Sequence, residues 1–383
     1  MLERLAIDPD SEFPLDPDLV HLNHAAIGPW PARTRDAVAD FAAENARQGS
    51  RRYLQWLETE ADLRRRLAAF IGAPSADDVA LVKNTSEGLS LVAAGLDWQP
   101  GDRVVTSAEE FPSNRVVWEA LADRGVELVQ VELAGRDDPE AALEAVLAEG
   151  GVRLLVISSV QYASGLALDL GRLGRACRAH GTFFGVDAIQ SLGALAMDVE
   201  AIDADFIAAD AHKWLLSPEG IGLFYCRPEL RDQLTLHQWG WHMVEHVGDF
   251  DRKEWEPAAS ARRFEPGSPN MLGIHALSAS LSVFEEVGME RVEALVRQRA
   301  SEVAERASAH PDLELLTDPA RMAGIVTFRH TGVDNAALWQ GLMDRGVLCA
   351  HRGGGIRFSP HFHTASATIG RALEAVDEVA ATL

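Results

Sequence analysis

Five clusters of polar residues stand where short apolar runs end, and their side chains could do chemistry. Lys213 follows the run Phe206–Ala209, in the segment Asp210-Ala211-His212-Lys213-Trp214. Burial disfavours a charged amine, and a neutral amine can condense with an aldehyde to a Schiff base. A solvated lysine at a turn is the plainer reading of the same residue. Asp187 ends Phe183-Phe184-Gly185-Val186-Asp187. A carboxylate there is costly to bury unless a cation or donor meets it, and Asp is equally favoured as a helix N-cap. The loop Lys83-Asn84-Thr85-Ser86-Glu87-Gly88 offers free N–H groups and hydroxyls for a phosphate, unless Thr85 or Ser86 simply caps the helix. In Glu110-Phe111-Pro112-Ser113-Asn114, Phe111 either covers the face of a planar ring or packs in the core. Arg357, behind Gly353-Gly354-Gly355, either clamps a carboxylate in bidentate fashion or makes a surface ion pair.

The elements that must position these residues alternate. Strands are predicted at Val79–Val82, Arg103–Thr106, Leu154–Ser159, Phe183–Val186, Phe206–Ala209 and Gly222–Cys226. Helices are predicted between them at Ser86–Gly95, Asn114–Arg124, Pro139–Ala148 and Leu170–His180. Such alternation implies an α/β fold with a mostly parallel sheet covered on both faces. Ligands of these sheets gather outside the carboxyl ends of the strands, which is where all five clusters fall. The pattern breaks between Leu236 and Pro269, a Trp-, His- and Pro-rich stretch that reads as long loops. Helices at Ile274–Glu286 and Met289–Ala309 follow. Short strands come next at Leu313–Leu316, Gly324–Arg329, Val347–His351 and Gly355–Ser359, then a helix at Ala365–Ala381. The expected organisation is a large α/β domain over 18–260 and a smaller α+β domain from 1–17 and 261–383.

Composition narrows the function. The 383 residues are 47% hydrophobic and 24% charged, ordinary globular usage. With 35 Lys and Arg against 58 Asp and Glu, the net charge of −23 repels phosphate backbones and anionic lipid. Nucleic acid and membrane are therefore poor partners. Three widely spaced cysteines, Cys177, Cys226 and Cys349, do not make a disulfide framework or a structural zinc site. The N-terminal stretch lacks a signal-peptide core, and no run is long enough to span a bilayer. A cytoplasmic protein is expected.

Taken together, the clusters resemble the class V aminotransferase family, pyridoxal 5′-phosphate (PLP) enzymes of fold type I. The similarity runs from His21-Leu22-Asn23-His24-Ala25-Ala26 to Arg357–His363. Its most specific segments are Asn84–Gly88, Val186–Gly193, Ala211–Gly222 and Arg263-Phe264-Glu265-Pro266-Gly267-Ser268. The resemblance implies that Lys213 holds PLP as an aldimine and that Asp187 faces the pyridine nitrogen, keeping the ring an electron sink. It implies that Gln190 meets the ring 3′-oxygen, that Thr85, Ser86 and His212 hold the phosphate, and that Phe111 stacks where many relatives have histidine. Asp210 stands where relatives often carry Ser and is expected to point away from the phosphate. Ser268 matches a position that reaches the partner's phosphate, which implies a homodimer with shared active sites. Arg357 would take the α-carboxylate of an amino-acid substrate, with Asn23, His24 and His361 nearby. No metal is implied.

Within that family the chain lacks the loop cysteine on which cysteine desulfurases depend. The expected activity is therefore aminotransferase or carbon–sulfur lyase, with epimerase or racemase and an inactive ligand-binding homologue as alternatives. His242-Met243-Val244-Glu245-His246 matches the H-x-x-E-H zinc-peptidase signature, which requires a sustained helix. No G-x-G-x-x-G or G-x-x-x-x-G-K-[ST] supports a nucleotide enzyme.

Overall fold

The computed structural model of the chain describes residues 5–383, so the first four residues of the 1–17 segment lie outside the described residues. Thirteen strands are described: β1 (Val20–His21), β2 (Val79–Val82), β3 (Arg103–Ser107), β4 (Glu127–Val131), β5 (Val152–Ser158), β6 (Phe183–Asp187), β7 (Phe206–Asp210), β8 (Gly222–Cys226), β9 (Leu313–Leu315), β10 (Val326–His330), β11 (Val347–Leu348), β12 (Ala350–Arg352) and β13 (Gly355–Phe358). Seven form the main sheet in the order β2-β8-β7-β6-β5-β3-β4. All of its pairings are parallel except the two made by β8.

The central strands are buried on both faces, as a parallel sheet between helices must be. Leu154, Val156, Phe206, Ala208 and Phe224 pack on one side with Leu89, Val92 and Trp118. Their neighbours Leu155, Ile157, Ile207, Ala209 and Leu223 pack on the other with Leu63 and Leu277. β4 is the edge strand and is only partly buried; Glu127 and Gln130 break its apolar run, and it is not expected from sequence. The Ala32–Gln48, Tyr53–Phe70 and Asn335–Asp344 helices were also not predicted from sequence.

The C-terminal part forms a four-stranded antiparallel sheet, β12-β13-β10-β9. The single strand expected at Val347–His351 is two strands. β11 pairs with β1, and β12 pairs with β13, so the chain changes sheets at Cys349. The helix expected over Asn114–Arg124 ends at Glu119, with a separate 3-10 turn at Ala122–Arg124. The stretch Leu236–Pro269 carries only loops, an isolated bridge and one short 3-10 helix.

Candidate functional site

The carboxyl ends of β2, β3, β5, β6 and β7 meet the β12–β13 hairpin around a cavity of about 350 Å³. Each strand delivers side chains to it. Asn84, which follows β2, caps the Thr85–Gly95 helix by accepting the Glu87 N–H at 2.9 Å. Asn84, and not Thr85 or Ser86, is therefore the cap. Thr85 and Ser86 stand in the first turn, where N–H groups have no intrahelical acceptor, and both line the cavity. The Thr85 hydroxyl oxygen accepts the Asp210 N–H at 3.0 Å, so its own proton remains to donate. Phe111 sits at the rim, 39% exposed, edge-on to Tyr162 with ring centroids 5.2 Å apart.

Lys213 and Asp187 occupy the floor, both buried. Of the chain's three lysines, Lys83 and Lys253 are exposed and only Lys213 is enclosed. Its amine lies 5.5 Å from the centre of the Phe111 ring. Burial, opposed by Asp187 and assisted by Arg357, lowers its pKa to about 8. At pH 7.5 roughly a quarter of such an amine is neutral, against about a thousandth for a free lysine. Burial, with Glu110 close by, raises Asp187 to about 7; the Ile189 N–H and Lys213 pull the other way. Glu110 is buried and accepts from the Ser158 N–H at 2.7 Å, the Ser158 hydroxyl and the Gln161 amide at 2.9 Å.

The backbone bearing Lys213 is clamped from several directions. Gly28 donates its N–H to the His212 carbonyl at 2.9 Å, and a Cβ there would collide with the Lys213 carbonyl oxygen. Gly193, at φ +96°, presses against the Trp214 carbonyl where no side chain fits. Gln190 accepts from the Trp214 indole at 2.9 Å and donates to the Ala25 carbonyl at 3.1 Å. One of its two amide N–H groups is left for a ligand in the cavity, whose wall it forms.

Residues 20–364 match the model of the aminotransferase class V family. A protein of Methanothermobacter thermautotrophicus named "Probable cysteine desulfurase" is 30% identical, over 96% of each chain. A cysteine desulfurase of Klebsiella pneumoniae is 31% identical over 81% of this chain and 77% of its own. The solved apo structure of a cysteine desulfurase from Thermococcus onnurineus NA1 superposes with a TM-score of 0.89, at 24% identity and 99% coverage of both chains. The chain belongs to the class V aminotransferase family. It has that family's fold type I architecture and is a PLP-dependent enzyme.

The residues present fit the family's cofactor. One cavity holds an amine of lowered pKa, a buried acid that can meet a ring nitrogen, an open aromatic face and a helix N-terminus suited to an anion. His212 lines the same wall. Asp210 does not point away, as expected, but lines it too. Its Oδ1 accepts the Ala211 N–H at 2.9 Å and lies 3.0 Å from His212 Nδ1.

Other expected residues fall elsewhere. His24 and His361 do not line the cavity; they are buried in the core beyond Trp214. The His361 ring is spent on the Trp214 carbonyl and the Phe362 N–H, and His24 is spent on the Ser359 carbonyl. His361 thus holds the carbonyl next to Lys213, while His24 ties the first β-bridge segment to Ser359. Asn23 lies behind Arg357, its Oδ1 3.4 Å from Nη2. Ser268 is exposed and lines a separate groove with Lys83 and Glu87. All three cysteines are buried, and burial raises Cys177 and Cys349 to about 12 and Cys226 further still. The H-x-x-E-H segment is turn and bridge, not helix. His242 is buried near Glu60 and Glu265 while His246 is exposed. Sequence reasoning missed Arg352 and Glu219 in the lining; Arg352 had a visible signal, a second arginine five residues before Arg357.

Proposed function

We propose that this enzyme is a carbon–sulfur lyase that cleaves a cysteine derivative by β-elimination, with no cysteine of its own taking the sulfur. The observation that carries the reading is the burial of all three thiols, in a chain whose 30%-identical relatives bear the name of a carbon–sulfur-cleaving enzyme. A persulfide relay needs an accessible thiolate, and a thiol raised to about 12 does not supply one at neutral pH.

Bound PLP supplies an aldehyde that forms an imine with amines and a ring that withdraws electrons from the substrate α-carbon. Thr85, Ser86 and His212 would hold its phosphate, Asp187 would set the charge on its ring nitrogen, Gln190 would offer its free amide N–H to the 3′-oxygen and Phe111 would lie against its ring. Lys213 is the base of this reading, since its lowered pKa leaves part of the amine neutral beside Phe111, which has no exchangeable proton. It takes the proton from the substrate Cα. The Cβ–S bond then breaks with its electron pair on sulfur, and the sulfur takes up a proton as thiol. The three-carbon remainder hydrolyses to a keto acid and ammonia. Arg357 fixes the α-carboxylate through its planar fork, which orients the Cα–H and Cβ–S bonds.

The reading includes a homodimer, in which the exposed Ser268 reaches the partner's phosphate site, and a cytoplasmic location suited to three unpaired cysteines. The test is a screen of cysteine, cystine and cysteine thioethers that follows thiol, keto acid and optical rotation together. It is run on the wild type and on a variant with Cys177, Cys226 and Cys349 all replaced by Ala. Both should release thiol and keto acid at comparable rates. A collapse on changing Cys349 alone would restore the persulfide route. Keto acid formed only with an amino acceptor would mean transamination, and loss of rotation alone would mean racemisation.

A further inference from the structure

We propose that Arg352 and Arg357 form a two-cation pole that selects substrates carrying a second anionic group on the side chain. The inference rests on the reading above and names the substrate class of the same cavity.

The strand register puts both guanidinium groups on one face. Ala350 is opposite Arg357 in the β12–β13 hairpin, and opposed residues share a face. Arg352 is two residues along β12 from Ala350, so it projects to that face as well. Gly353 and Gly354, at φ +57° and +80°, make the turn between the strands. Both arginines line the cavity.

Neither has a counter-ion. Among the described residues no carboxylate lies within 4.0 Å of either guanidinium. Arg357, 2% exposed, donates to the Tyr162 carbonyl at 2.6 Å and weakly to Asn23, and its buried Nε has no partner. Arg352 donates only to the neighbouring His351 carbonyl, at 2.8 Å. The acids of the lining are engaged elsewhere or stand apart: Asp187 faces Lys213, Asp210 accepts the Ala211 N–H, and Glu219 pairs with neither arginine. Burial, and then the charge of Arg352, lowers Arg357 to about 10. Two like charges facing one cavity await anions. A single α-carboxylate satisfies the deeper fork of Arg357. Arg352, at the exposed rim, is left for an anion farther out along the substrate.

The test compares S-(2-carboxyethyl)-L-cysteine with the neutral S-propyl-L-cysteine on the holoenzyme. The variants are Arg352→Gln and Arg352→Lys. A charge-assisted contact is worth roughly 10- to 100-fold. The ratio of kcat/KM values should favour the carboxylated substrate by about that factor, fall by the same factor in Arg352→Gln, and survive in part in Arg352→Lys. Calorimetric binding of succinate against butyrate needs no turnover and should show the same preference. A ratio untouched by Arg352→Gln, or an equal loss for both substrates, overturns the proposal. If thiol is never released but the succinate preference follows Arg352, the lyase reading fails and this inference stands. Thiol release without charge preference sinks the inference alone.

Discussion

The buried histidines behind Lys213 should make the fold acid-sensitive from just below neutrality. His361 has its tautomer fixed by its partners. A carbonyl only accepts, so Nε2 carries the proton donated to Trp214 at 3.0 Å, and Nδ1 accepts the Phe362 N–H at 2.8 Å. A second proton would have to displace that N–H. His24 is likewise held neutral, donating from Nδ1 to the Ser359 carbonyl at 2.8 Å, with His363 Nε2 at 3.4 Å from its other nitrogen. Burial lowers His361 to about 3 and His24 well below its usual range, the latter helped by His21, His363 and His361. In the unfolded chain both bind protons near 6.5, so acid favours the unfolded state. Stability is complete above about 6.5, falls as the pH drops below that value, and levels off near the folded pKa. One such group loses about 2 kcal/mol between pH 7 and pH 5, and two lose about 4 kcal/mol. That is a large share of a typical total of about 5–15 kcal/mol. Urea unfolding followed by tryptophan fluorescence at pH 7, 6 and 5 measures it. His361→Gln should be weaker at pH 7, yet its stability should fall less steeply with acid, by about 1 kcal/mol per pH unit averaged between pH 7 and pH 5. Equal slopes in variant and wild type would refute the reasoning.

Other expectations concern the cofactor. Capture of PLP by the apo-protein, followed by absorbance, should accelerate with pH and flatten above about 8 as Lys213 loses its proton; a flat profile would show that its amine is not the reacting group. Borohydride treatment of the holoenzyme followed by peptide mapping should find the label on Lys213, and a label on Lys83 or Lys253 would overturn the assignment. Asp187→Ala should lower cofactor affinity and cut turnover by at least about 100-fold, and normal turnover would remove the ring-nitrogen role.

The alternation of buried strands with amphipathic helices was legible because β5, β7 and β8 are apolar on both faces. The convergence of Lys213, Asp187, Thr85 and Ser86 was legible because strand ends in a parallel sheet share one edge. What failed was direction. Nothing in the segment Ser359-Pro360-His361-Phe362-His363 tells a reader that His361 turns inward to a carbonyl across the core, since that depends on a partner 147 residues away. Asp210 failed for a related reason: a residue's type shows what it disfavours, while local partners such as the Ala211 N–H decide which way it turns. Arg352 went unread because exposed arginines are common and its meaning comes only from sharing a face with Arg357.

The displaced histidines bear on how the site works. A lysine whose amine is to stay partly neutral must remain buried, and a flexible segment would let it escape to water and regain its ordinary pKa. Gly28, Gln190 and His361 each hydrogen-bond one atom of the His212–Trp214 stretch, Gly193 packs against it without a side chain, and together they remove that freedom. The four come from three separate loops that meet only in the folded chain. His361, first expected beside the substrate, thus contributes by holding the carbonyl next to the buried amine.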